Sequence, residues 1–163
     1  MVSFLNRMPF GIPGDVTRQS QAVIEAQPFN TALPFNRYGI PGKIVANKFI
    51  PFAGAEVVTD AYGILVRPNP ITGANASDPL GTSVPPNNGL ADILRSGYIN
   101  VKNNAGTPAL NGIVYVRVAT PSTPQPIGGI EATSDAANTI ILTGARFTGA
   151  ADANGNVEIA YNI

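Results

Sequence analysis

The sequence contains no cysteine, no histidine and no tryptophan, and only 12% of its residues are charged. Each absence closes a class of chemistry. Without cysteine there are no disulfides, no thiolate zinc sites and no cysteine nucleophile. Without histidine the commonest general base and commonest metal ligand are missing, and a Ser–His–acid triad cannot be built. The lack of tryptophan and an aromatic content of 7% leave poor stacking platforms for sugars or single-stranded nucleic acid. Ten basic and ten acidic residues cancel, so nothing draws the chain over long range to a polyanion or an anionic membrane. No apolar run approaches a membrane span. Residues 1–10 include Arg7 but no apolar stretch of signal-peptide type, which predicts a protein made and used without export.

What is present points to strands and turns. A length of 163 residues suits one domain, or one domain with an arm. Hydrophobic residues make up 44%, so the chain invites burial, while 17 Gly and 15 Pro interrupt helices. Short apolar or alternating runs occur at 22–27, 43–50, 61–67, 98–102, 113–119, 139–142 and 157–161, each bounded by turn-forming residues. Asn111-Gly112 and Asn154-Gly155 suit tight hairpin turns. Residues 89–95 are the best helix candidate, with Leu90, Ile93 and Leu94 on one side. The expected fold is all-β: an antiparallel β-sandwich or jelly-roll-like domain over 21–163, with at most one short helix. A long Pro/Gly loop covers about 68–89 and a second connector covers 120–129.

Residues 1–20 read as an extended arm, because Pro9 and Pro13 block a helix and the apolar residues keep no period. Phe4, Leu5, Met8, Phe10, Ile12 and Pro13 are the candidate contacts with a neighbouring protein or a sister copy. Gly-Ile-Pro-Gly occurs at 11–14 and again at 39–42, too short for a structural repeat and read as turn chemistry used twice.

The remaining acids and lysines offer little chemistry. Lys43, Lys48 and Lys102 read as solvated strand-edge residues and not as members of a Ser–Lys dyad. Glu56 and Asp60 read as turn residues and not as a hydrolase pair. The run 152–158 resembles an oxygen-ligand calcium loop, but its closing Glu158 comes too early, and a hairpin explains it better. No cofactor and no enzymatic activity are expected.

Several stretches in order resemble the structural cement, or capsid decoration, proteins of tailed bacteriophages. They are Gly11-Ile12-Pro13-Gly14-Asp15-Val16-Thr17-Arg18; Tyr38-Gly39-Ile40-Pro41 leading to Lys43; residues 62–68; residues 91–101; residues 112–118; and the terminal run 153–163. The resemblance implies a virion protein on the outer capsid surface, made in the bacterial host cytoplasm. It implies binding to the phage major capsid protein, usually as a dimer or trimer, and no nucleic-acid or membrane partner. No functional residue is carried over, because the matching motifs are architectural. The competing expectation is another virion component, such as a β-sandwich tail or head-fibre protein that binds a receptor or glycan.

Overall fold

A computed structural model describes residues 11–68 and 83–163. It is built from β1 (Val23–Pro28), β2 (Pro41–Val45), β3 (Lys48–Pro51), β4 (Gly63–Leu65), β5 (Leu90–Lys102), β6 (Ile113–Arg117), β7 (Ile130–Glu131), β8 (Thr139–Phe147) and β9 (Asn156–Tyr161). The strand order is β3-β2-β4-β5-β9-β8-β6-β7, with β1 also on β5, and every ladder is antiparallel. Among the described residues the only helical pieces are single 3-10 turns. The domain is therefore all-β and sandwich-like: one sheet curls back over its own apolar face.

The curl is made within β5. Its first half pairs with β1 and β4, and its second half with β9. Val23 lies opposite Ser96 and Ile24 opposite Leu94, so Arg95 is an extra residue, a β-bulge. A one-residue insertion exchanges the two faces of a strand and increases its twist. Ala91 and Ile93, before the bulge, pack into a smaller core with Phe29, Phe35, Tyr38, Ile40, Phe49 and Leu65. Leu94 before it, and Ile99 and Val101 after it, pack into the main core with Val114, Val116, Leu142, Phe147, Val157 and Ile159. Gly97, at φ +140°, follows the bulge, and a side chain there would run 3.0 Å from the Ala22 backbone.

This geometry overturns the helix expected at 89–95. The spacing of Leu90, Ile93 and Leu94 is helical, but Ile93 and Leu94 face opposite cores of a two-sided strand, and Leu90 is exposed. The run at 43–50 is also not one strand. It is the β2–β3 hairpin, turning at Ala46 and Asn47, both in the left-handed region. Asn111-Gly112 does not join two paired strands. Only Asn111 has positive φ, and the turn feeds β6, which pairs with β7 and β8. Asn154-Gly155 does close a hairpin, between β8 and β9.

The two Gly-Ile-Pro-Gly runs meet. Gly14 donates its N–H to the Asn100 carbonyl and accepts from the Arg67 N–H, while Gly39 donates to the Leu65 carbonyl. Both glycines have positive φ, +94° and +73°. A methyl on Gly39 would lie 2.8 Å from the Gly14 nitrogen, and one on Gly14 would lie 2.5 Å from the Tyr38 Cβ. Only glycine satisfies both the conformation and the approach. Gly39→Ala is expected to lower stability by about 2 kcal/mol or more. Urea unfolding checks this, and an unchanged midpoint would contradict the close packing described.

Candidate functional site

Residues 11–18 lie along the chain's own β5 and β9. The Asp15 carbonyl accepts the Asn100 N–H, Thr17 donates its N–H to the Tyr98 carbonyl, and Val16 bridges to Ile99. Side chains finish the seam. Asn156 Nδ2 donates to the Gly11 carbonyl at 2.9 Å. Glu158 accepts from the Thr17 hydroxyl and, at 3.1 Å, from Arg18. The Arg18 guanidinium also stands 3.7 Å from the centre of the Tyr98 ring. Polar groups on a covered strand need partners, and this segment provides them for β9.

Of the six contact residues expected from the sequence, Phe4, Leu5, Met8 and Phe10 lie outside the described residues. Ile12 and Pro13 are half-buried against the domain. The Ile12 carbonyl accepts the Asp15 N–H at 3.2 Å, and the Pro13 carbonyl accepts from Arg67 Nε at 3.3 Å. Beside Pro13 opens a pocket of about 200 Å³, lined by Asn36, Arg37, Tyr38, Arg67, Ser83, Val84 and Lys102. Arg67 stacks on Tyr38 with 4.5 Å between guanidinium and ring centre, and it hydrogen-bonds the Ser83 hydroxyl. The composition gave no sign of this pocket. The one available signal was the repeated Gly-Ile-Pro-Gly, whose two copies bring Pro13 and Tyr38 together.

A shallower groove of about 560 Å³ runs past Lys43, Asp60, Tyr62 and Arg95. There the Tyr62 hydroxyl donates to Glu25 at 2.6 Å, and Arg95 lies over the Tyr62 ring at 3.7 Å and 3.5 Å from Glu25. Charge is balanced within the group.

The acids that could have formed an active site are occupied by structure. Glu56 is buried and accepts from Lys43 Nζ at 2.8 Å and from the Ala53 and Gly54 N–H groups. Asp60 accepts the Val57 N–H. Asp152 Oδ1 accepts the Asn154 and Asn156 N–H groups, an arrangement that shapes the hairpin. Arg117, at the end of β6, makes a paired contact with Glu131 at 2.6 and 2.9 Å and a third with Asp135 at 2.8 Å. Both Arg117 and Glu131 are buried, and their link ties β7 and the 120–129 connector to β6.

A family model described as XM1 gp53 minor capsid protein matches residues 1–161. The chain belongs to that family. It is thereby a phage capsid-associated structural protein, in line with the resemblance carried by its ordered motifs. No curated protein is similar to it. Its fold is similar to that of a chain in the solved capsid of Myoviridae phage XM1, with a TM-score of 0.69 and 17% identity, over 98% of this chain and 95% of that one.

The Glu56 contacts predict a pH dependence. Burial alone would raise its carboxyl, but the bonds from Lys43, Ala53 and Gly54 outweigh this and hold it below the ordinary glutamate range. A depressed carboxyl stabilises the fold at neutral pH, and the contribution is lost as pH falls through about 4.5 and below. Glu56→Gln is therefore expected to cost about 2 kcal/mol at neutral pH. The gap to the wild type should shrink on acidification. Thermal melts between neutral and acidic pH check this, and a gap independent of pH would contradict it.

Proposed function

We propose that this protein is a capsid cement: it binds the outer surface of the major capsid shell, bridges neighbouring subunits and stabilises the head, with no catalytic role. The observation that carries the reading is the family match over 1–161, in a domain whose central acids are consumed by turns and strand ties. A cement has to resist strain across a seam, which asks for a stiff body and a contact surface. The curled sheet with two cores is such a body.

The candidate contact surface has two parts. Residues 1–10, with Phe4, Leu5, Met8 and Phe10, supply apolar side chains from the sequence. On the domain, β1 is exposed along most of its length, with Val23 54% and Ile24 40% exposed, and Leu90 lies opposite Pro28 at 66%. A specific interface typically buries about 1,600 Å², more than a single short strand offers, so a homo-oligomer, dimer or trimer, with an added arm suits the task. Many copies around a shell would add avidity.

Co-sedimentation with expanded shells prepared without the protein tests the reading. Saturable binding at micromolar protein and a higher dissociation temperature of the shells are expected, and absence of binding would overturn the cement role. Deletion of residues 2–10 leaves the bond from Asn156 to Gly11 in place. That variant is expected to keep its folded circular-dichroism spectrum and to bind shells at least about tenfold more weakly. Undiminished binding would remove the arm from the interface. Analytical ultracentrifugation of the free protein should give a dimer or trimer mass, and a monomer would contradict that part.

A further inference from the structure

The pocket beside Pro13 has an electrostatic character that the cement reading does not require. Arg37, Arg67 and Lys102 line it, and none of the described residues lining it is acidic. Arg67 is buried and draws on a carboxylate only at long range, Asp15 at 3.9 Å. Lys102 donates to the Asn154 carbonyl, a neutral partner. Arg37 is half-buried and has no ion-pair partner among the described residues. Burial shifts its guanidinium to lower pKa, the direction expected of a partly desolvated cation. Burial of an unpaired charge is costly, so an arrangement that keeps one invites an anion.

A second observation comes from Tyr38. Tyr38 is 2% exposed and lines the same pocket, yet its hydroxyl has no hydrogen-bond partner among the described residues. Buried polar groups without partners are rare and mark places where a partner is supplied from elsewhere. A phenol donor beside guanidinium groups matches the needs of a carboxylate, which accepts several hydrogen bonds at once.

We propose that Arg37, Tyr38, Arg67 and Lys102 form a carboxylate-binding site that receives an acidic side chain of the neighbouring capsid protein. The identity of that neighbour rests on the cement reading; the site itself does not. The walls are stiff, because Pro13 belongs to the first Gly-Ile-Pro-Gly run, Tyr38 directly precedes the second, against which Gly14 packs, and Arg67 is stacked in place. A pre-formed site spends little on ordering when it binds, and a charge pair across an interface fixes register more than it adds affinity. Arg37 is the specific element, since among the described residues no hydrogen bond or ion pair holds its guanidinium, whereas Arg67 is held by Pro13 and Ser83.

Two readouts test this on the full-length protein. In the first, a blocked peptide, acetyl-Ala-Glu-Ala-amide, is titrated at low salt while the Arg37 and Arg67 Nε–H signals are followed by NMR, with the glutamine peptide as blank. Saturable shifts with the glutamate peptide alone are expected, and they should vanish in Arg37→Gln. No shift, or equal shifts with both peptides, overturns the site. In the second, Arg37→Gln is compared with Lys48→Gln, an equal change of charge at an exposed residue that does not line the pocket, for binding to shells. Arg37→Gln should bind about tenfold more weakly with an unchanged melting temperature, and Lys48→Gln within about twofold of wild type. If both variants bind like wild type, the capsid protein is not the source of the carboxylate. If wild type itself does not bind shells, both that source and the cement reading fall, while the peptide readout still decides the site.

Discussion

A strand whose same-side residues serve first one core and then another has to exchange its faces where it passes between them. In this protein that constraint falls on β5, and the extra residue Arg95 meets it. Before the bulge, Ala91 and Ile93 belong to the smaller core; after it, Ile99 and Val101 belong to the main one. The remaining strands follow from this. β4 sits between the cores, with Ile64 in one and Leu65 in the other, and β9 closes the main core from the second half of β5. The bulge is also locked from outside: the Asn162 side chain donates to the Arg95 carbonyl and the Ser96 hydroxyl donates to the Asn162 carbonyl.

The segment 11–18 completes this core strand by covering what the sheet leaves open. It contributes backbone bonds to Tyr98 and Asn100 and receives side-chain bonds from β9. Its Gly-Ile-Pro-Gly run then butts against the second copy of the same run, and the pocket lined by cations forms at that junction. A seam that holds the fold together thus also shapes the surface proposed to meet a neighbour.

Much of the fold is legible in the sequence because its strands are short apolar or alternating runs bounded by turn-forming residues. The runs at 22–27, 113–119 and 157–161 correspond to β1, β6 and β9. Alternation failed where both faces are covered. Around Ile93-Leu94, two-sided burial together with the bulge gives a strand the apolar spacing of a helix. The turn at Ala46-Asn47 was missed because alanine carries no turn signal, although it adopts φ +49° there. The candidate site was less legible still. Arg37, Tyr38, Arg67 and Lys102 are scattered over 66 sequence positions, counting 37 to 102, and only the packing of two glycine-rich runs brings them together. Pro13, a candidate contact residue from the sequence, stands on the wall of that pocket.

The proposed cement role puts this stiff β-domain outside the shell, across the junctions between capsid subunits. Electron cryomicroscopy of shells saturated with the protein tests it most directly. Density of this domain is expected on the outer surface, over subunit junctions, with the Arg37–Lys102 side turned toward the shell. Density on the inner surface, or confined to the centre of a single subunit, would contradict it.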